Sequence, residues 1–168
     1  MSNRPTFYMN NKPIRAGGVI FYYQDNLTKN IKILVQYTDR IVNNIKRNLY
    51  EDIGGKTDTH DTCINDTIIR ETIEETNNVI TKEILIKYFD RDNKYIYLEK
   101  SKYCLVLIKA DADIINIDRR LFGKEDITSG KKRQFFWING TKILKGTPYN
   151  ERIWLMRNEI NDFFSTLI

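Results

Sequence analysis

Apolar and polar positions alternate most clearly over residues 31–37, where Ile31, Ile33, Val35 and Tyr37 fall on one side. That period of two predicts a half-buried strand. Residues 14–24 carry Gly17-Gly18 and then the unbroken run Val19-Ile20-Phe21-Tyr22-Tyr23, which predicts a buried strand. The turn-like residues 25–30 between them predict a hairpin. Residues 39–47 are polar and read as a loop, and residues 49–53 as a short extended piece entering Gly54-Gly55. Residues 61–76 hold no Gly or Pro and predict a helix, with Asp61 or Thr62 as its cap and Asn77-Asn78 as its end. Residues 83–90 and 95–98 read as short strands, and residues 103–109 (Tyr-Cys-Leu-Val-Leu-Ile-Lys) as a central strand. Residues 111–128 are polar, a loop or a short helix. Residues 134–138 predict another strand. Residues 150–164 place Ile153, Trp154, Met156, Ile160, Phe163 and Phe164 at roughly helical spacing. Strands, helix, strands, helix is an α/β order, and it predicts a mixed β-sheet between helices on both faces.

The length of 168 residues fits one domain spanning residues 1–168. A chain of that size buries enough surface to fold without a disulfide or a structural metal. Hydrophobic residues at 41% and charged residues at 29% are ordinary for a globular protein. Cys63 and Cys104 show no short metal-type spacing, so both are expected to be buried, reduced thiols. No apolar run reaches the ~20 residues of a membrane-spanning helix. The N-terminal residues lack the apolar core of a signal peptide. The expectation is an intracellular, cytoplasmic protein with no membrane partner. Lys plus Arg is 27 and Asp plus Glu is 22, a net charge of +5. This leans toward polyanionic partners such as nucleotides, RNA or polyphosphates, without the dense basic stripe of a dedicated nucleic-acid binder.

One segment concentrates the chemistry: Gly54-Gly55-Lys56, then Arg70-Glu71-Thr72-Ile73-Glu74-Glu75. On an α-helix, Glu74 lies about −60° and Glu75 about +40° from Glu71, so three carboxylates share a ~100° face. Like charges at these spacings repel. They also sit in the C-terminal half of the helix, where its dipole disfavours negative charge. A hard divalent cation relieves both penalties, although such a run is also found as a plain solvated face. The upstream glycines let backbone approach a ligand closely, and Lys56 offers a point charge for phosphate. Glycine turn, basic residue and acidic helix together point to metal-bridged phosphate chemistry.

This segment resembles the box of the Nudix hydrolase family: Gly, five residues, Glu, seven residues, Arg-Glu-(apolar)-x-Glu-Glu-x-Gly-(apolar). Gly55 stands five residues before Asp61, and Arg70-Glu71 and Glu74-Glu75 match the core. The flanking Glu51-Asp52-Ile53-Gly54-Gly55-Lys56 and Ala16-Gly17-Gly18-Val19-Ile20-Phe21 also look like that family. The box is about a seventh of the chain, and the order of elements resembles the family over most of it. Departures are present. Asp61 replaces the usual Glu, and eight residues rather than seven separate it from Arg70. Thr72 and Asn78 stand at usually apolar positions, and Asn77 replaces the terminal Gly.

The resemblance implies an α/β/α sandwich and hydrolysis of a pyrophosphate bond in a nucleoside diphosphate linked to another group. The substrate classes it implies are a nucleotide, a nucleotide conjugate, an RNA cap or an inositol pyrophosphate. Mg²⁺ or Mn²⁺ would be held by Glu71, Glu74, Glu75 and the Gly54 carbonyl. Arg70 would orient the glutamates, and Lys56 and Gly55 would meet the substrate. The general base would be Glu71, Glu74 or an acid outside the box, with Glu99, Glu125 and Asp126 as candidates. The alternative is a non-catalytic nucleotide- or RNA-binding module on the same scaffold. The oligomeric state is left open, a homodimer included.

A few residues outside the box carry weaker signals. His60, the only histidine, reads as an exposed loop residue or a phosphate contact. Lys131-Lys132-Arg133 reads as a charged hairpin turn or a phosphate grip. Among Tyr22, Tyr23, Phe135, Phe136 and Trp137, alternate rings must fill the core, leaving one or two to stack on a base. Trp154 is assigned to the core of the last helix.

Overall fold

The computed structural model describes residues 3–125 and 132–168. The chain opens with a small antiparallel ribbon, β1 (Phe7–Met9) and β2 (Lys12–Ile14). There follow β3 (Ala16–Gln24), β4 (Ile31–Val42), β5 (Ile45–Glu51) and β6 (Ile53–Lys56). Two helices come next, α1 (Ile64–Glu75) and α2 (Lys82–Phe89), then β7 (Lys94–Leu98) and β8 (Tyr103–Lys109). The chain ends with α3 (Ala112–Ile115), β9 (Arg133–Asn139), α4 (Glu151–Leu155) and α5 (Arg157–Ser165).

Seven strands form one mixed sheet in the order β5-β4-β3-β8-β7, with β6 beside β3 and β9 beside β4. Only β3 and β8 run parallel among these pairings, from Ala16↔Tyr103 to Tyr22↔Lys109. β8 therefore has a neighbour on each side, as its apolar run predicts.

Alternation along β3 and β4 sends side chains to two cores. Val19, Phe21 and Leu34 pack with Ile68 of α1 and with Leu85 and Tyr88 of α2. Ile20, Ile31, Ile33 and Val35 pack on the other face with Ile153, Ile160 and Phe164 of the terminal helices. Helices thus cover both faces of the sheet, as expected. Trp154 packs against that second core, with the Arg157 guanidinium 4.0 Å from its ring centre.

Several local expectations are corrected. Residues 39–47 are not a loop: β4 runs on to Val42 and pairs with β5 across Asn43-Asn44. These asparagines have φ of 52° and 63°, the left-handed pair that a two-residue type I′ turn requires. Exposed strand ends, where Ile41 and Ile45 face solvent among charged residues, concealed the hairpin. A β-branched residue is costly at positive φ, so Asn44→Val should lose about 1–2 kcal/mol in urea unfolding while Asn44→Gly stays near neutral.

Residues 83–90 are helix α2 rather than a strand. The Thr81 hydroxyl accepts from the Ile84 amide at its N-terminus, and Leu85 and Tyr88 face the core three residues apart. The polar segment beyond β8 holds the short helix α3 and a 3₁₀ turn at Arg119–Phe122, and its last residues lie outside the described residues. The last helical segment breaks at Met156 into α4 and α5. Cys63 is exposed rather than buried. Cys104 is buried, and loss of hydration pushes its thiol up to about 12. No helix among the described residues is long and apolar enough to cross a membrane.

Candidate active site

Four glycines face one another where β3 meets β6: Gly17 opposite Gly55 and Gly18 opposite Gly54. Their missing side chains serve both faces of the sheet. A Cβ on Gly17 would press on Ile64 and Ile68 of α1, and one on Gly55 would collide with the Glu71 carboxylate. A Cβ on Gly18 would collide with the Tyr103 hydroxyl and the Asp52 carboxylate, and one on Gly54 with β3 backbone. The glycines therefore make room first for this chain's own side chains. Helix α1 lies directly on the bend, and Glu71 lies over Gly55.

The N-terminal turn of α1 is held without a side-chain cap. Cys63 is the N-cap residue, and neither Asp61 nor Thr62 caps the helix as expected. Thr62 instead donates its amide and its hydroxyl to Asp66. Asp61 accepts from the Asp58 amide at 2.8 Å and from the Thr67 hydroxyl at 2.7 Å. Cys63 itself is extended, and the helix starts at Ile64.

Asp61 then reaches Arg70 with both oxygens. Arg70 Nε donates to Oδ1 and Nη2 to Oδ2, each at 3.0 Å. The same guanidinium donates to the Lys56 carbonyl at 2.8 Å and to Glu71 at 2.9 Å, and lies 3.6 Å from Glu74. One planar cation thus ties the loop, the end of β6 and two box carboxylates together.

Burial raises the Asp61 carboxyl, but Arg70, Thr67 and the Asp58 amide outweigh it and hold it below the usual carboxylate range. Its folded-state value is lowered, so its stabilising contribution is complete above the unfolded value of about 3.9 and is lost as pH falls through the folded value. Acid titration of unfolding should show wild type losing more stability than Asp61→Asn below about pH 4.

Of the three box glutamates, Glu71 and Glu74 share Arg70, while Glu75 meets Gln36 of β4. Glu71 meets Arg70 and Gly55. Glu74 is over a third exposed and borders a cavity of about 480 Å³ shared with His60, Arg70, Ile73 and Lys82. Glu75 is buried, and the Gln36 amide of β4 donates to its carboxylate while also donating to the Asp52 carbonyl at 2.9 Å. Among the described residues no three carboxylate, imidazole or thiol groups are gathered to ligate one ion. The donor chemistry nevertheless suits a hard divalent cation, since the Glu71 and Glu74 carboxylates and the main-chain carbonyls of the bend are all oxygen donors. The cradle at Gly55 brings Glu71 against backbone, so the residues present fit such an ion.

Box departures have local reasons. Thr72 is buried and donates its hydroxyl to the Ile68 carbonyl at 2.7 Å, so a polar residue is satisfied at an apolar position. Asn77 and Asn78 have φ of 52° and 61°. The Asn78 amide reaches the Ile73 carbonyl at 2.8 Å and the Asn77 amide the Glu74 carbonyl at 3.3 Å, a Schellman end without glycine.

Gln36, which the sequence did not single out, and Asp52, which it placed only in the stretch flanking the box, complete the surroundings. Gln36 was hidden in the Ile31–Tyr37 alternation, although polar Gln36 and Thr38 on its helix-facing side were a signal. Asp52 is almost fully buried, takes the Tyr103 hydroxyl, and lies 3.1 Å from Arg152 and 3.4 Å from the Asn150 amide. Burial and the Asp52 charge hold the Tyr103 hydroxyl well above its usual value.

Lys56 is exposed at the end of β6, and His60 is exposed in the loop. Arg133 does not belong to an exposed basic run: it is buried in β9 and donates to the Glu75 carbonyl at the end of α1. Lys131 and Asp126 lie outside the described residues. Glu99 is exposed in a 3₁₀ turn, and exposed Glu125 offers its carbonyl to Asn77. Tyr22 and Phe135 are core, whereas Tyr23, Phe136 and Trp137 are half-buried.

No family model and no curated sequence matches the chain. Solved structures do. The chain is similar to a mutT/nudix family protein from Listeria innocua, with a TM-score of 0.52 and 12% identity over 99% of this chain and 95% of that one. It is similar to a bifunctional NMN adenylyltransferase/ADP ribose pyrophosphatase from Francisella tularensis, with a TM-score of 0.48 and 18% identity over 89% of this chain and 42% of that one. NrtR from Shewanella oneidensis gives a TM-score of 0.47 and 15% identity over 90% of this chain and 62% of that one. The mixed sheet between helices, matched end to end in the Listeria innocua protein, gives this chain a Nudix-like fold.

Proposed function

We propose that the chain, acting as one domain, is a divalent-metal-dependent Nudix-type hydrolase that cleaves a pyrophosphate bond. Its substrate is a nucleoside diphosphate linked to another group, drawn from nucleotides, nucleotide conjugates, capped RNA or inositol pyrophosphates. The observation that carries this reading is Arg70, which joins Asp61, the Lys56 carbonyl and Glu71 in one hydrogen-bonded unit over the glycine bend.

Glu71, Glu74 and Glu75, with the Gly54 carbonyl, are the residues that would hold Mg²⁺ or Mn²⁺. A bound ion supplies charge neutralisation for the phosphate oxygens and a lowered pKa for water. Arg70 fixes the rotamer of Glu71 and draws Glu74 toward the same side. Gln36 holds Glu75 from the sheet side. Lys56, its ammonium exposed and its carbonyl bound to Arg70, meets a phosphate, with the Gly55 backbone beside it as the second substrate contact. Glu71 or Glu74 takes the proton from the attacking water.

That no three ligating side chains are gathered among the described residues favours a second reading, a non-catalytic nucleotide- or RNA-binding module on the same scaffold. A panel of pyrophosphate compounds assayed for phosphate release with Mg²⁺ and Mn²⁺ separates the two. The hydrolase reading expects release from at least one compound. Ligand-dependent thermal shifts without release across the panel assign the module instead.

A further inference from the structure

Past Val35 burial falls off along the sheet face that the terminal helices pack on. Ile31, Ile33 and Val35 are fully buried beneath them. The next residue on that face, Tyr37, is only half-buried, as are Tyr50 opposite it on β5 and Phe136 on β9. Their rings make a row: Tyr37 to Tyr50 is 4.7 Å between centres, Tyr37 to Phe136 is 6.4 Å, and Tyr50 to Tyr149 is 6.0 Å.

A cavity opens at each end of the Tyr37–Tyr50 pair. One, of about 320 Å³, is lined by Tyr37, Asn48, Lys124, Lys132 and Gln134. The other, of about 460 Å³, is lined by Tyr50, Ile138, Lys142, Leu144 and Tyr149. Asp39 also borders the first, with the Lys46 ammonium 3.3 Å away.

We propose that this aromatic face binds a single-stranded polynucleotide, with successive bases lodged on either side of the Tyr37–Tyr50 pair. Aromatic rings stack on any base, and lysines beside them meet the intervening phosphates. Asn48 and Gln134 carry both donors and acceptors for base edges. Lysines inside both cavities, in a chain of net charge +5, favour a polyanion. None of these residues lies in the box, so the assignment stands apart from the hydrolase reading.

The test is fluorescence anisotropy of short labelled oligouridylate and oligothymidylate strands at several salt concentrations. Wild type should bind, with affinity falling as salt rises. Lys124→Gln/Lys132→Gln, both exposed positions, should lower the salt slope by about 1.4, the value for two lost phosphate contacts on a single strand. Tyr37→Leu keeps an apolar filler but removes the ring, and should weaken binding about tenfold or more. Box-dependent hydrolysis of small pyrophosphates should be unchanged in both variants. Absence of binding to either strand at low salt would overturn the proposal. So would binding that neither variant alters. Sedimentation showing a dimer that Tyr37→Leu dissolves, with no strand bound, would give this face to a second copy and likewise overturn it.

Discussion

Replacing Glu74 by Gln should cut turnover about a hundredfold to ten-thousandfold while leaving the fold intact. The kinetic loss follows from removing a negative oxygen that either holds the metal or takes the water proton. The structural cost is small because the Glu74 side chain is over a third exposed and its ion-pair partner is Arg70 at 3.6 Å. Exposed pairs of this kind contribute about 0–1 kcal/mol. Denaturation midpoints of wild type and Glu74→Gln should therefore nearly coincide. Glu83→Gln, an exposed change on α2, should keep full turnover and serves as the control. Full activity in Glu74→Gln would remove the box from the chemistry altogether.

The largest loss of stability is expected from Asp52→Ala. This carboxylate is almost completely buried and takes the Tyr103 hydroxyl, the Asn150 amide and the Arg152 guanidinium. The Asp52 charge outweighs burial and holds Arg152 more firmly protonated than usual. Truncation leaves that guanidinium and the Tyr103 hydroxyl without their buried acceptor, a loss of about 3–5 kcal/mol. Typical domains have only about 5–15 kcal/mol in total. Asp52→Asn keeps an acceptor oxygen while removing the charge, and should fall between wild type and Asp52→Ala in urea unfolding. A midpoint for Asp52→Ala within experimental error of wild type would mean the network is incidental to folding. The network joins α4 to the back of the glycine bend, so the same variant should loosen β6 in hydrogen exchange.

Local patterns were legible where one force dominated. The apolar runs of β3 and β8 could only be buried strands, and Asn77-Asn78 marked a helix end because asparagine tolerates positive φ. The Arg-Glu-x-x-Glu-Glu spacing pointed to a helix with a carboxylate-rich side, and α1 carries it. The β4–β5 hairpin was missed because its tip is exposed on both faces, with Ile41 and Ile45 in solvent, so its signal lay in two asparagines rather than in an apolar face. Helix α2 was missed because Ile84-Leu85-Ile86 is a short continuous apolar run, which reads equally as a buried strand or a helix segment. The structure then added what depends on distant partners. Gln36 and Glu75 are 39 residues apart, and Asp52 and Arg152 are 100 apart. No local spacing announces such pairs. The same holds for Arg133, which the neighbouring lysine made look exposed but which β9 carries inward to the end of α1.

Anomalous scattering from a crystal soaked in Mn²⁺ bears most directly on the role given to the box. The expected result is one or more manganese peaks within ligand distance of Glu71 and Glu74 and next to the Gly54 carbonyl, with Arg70 still bound to Asp61. A map with no peak there, the three carboxylates still facing Arg70, the cavity and Gln36, would contradict it.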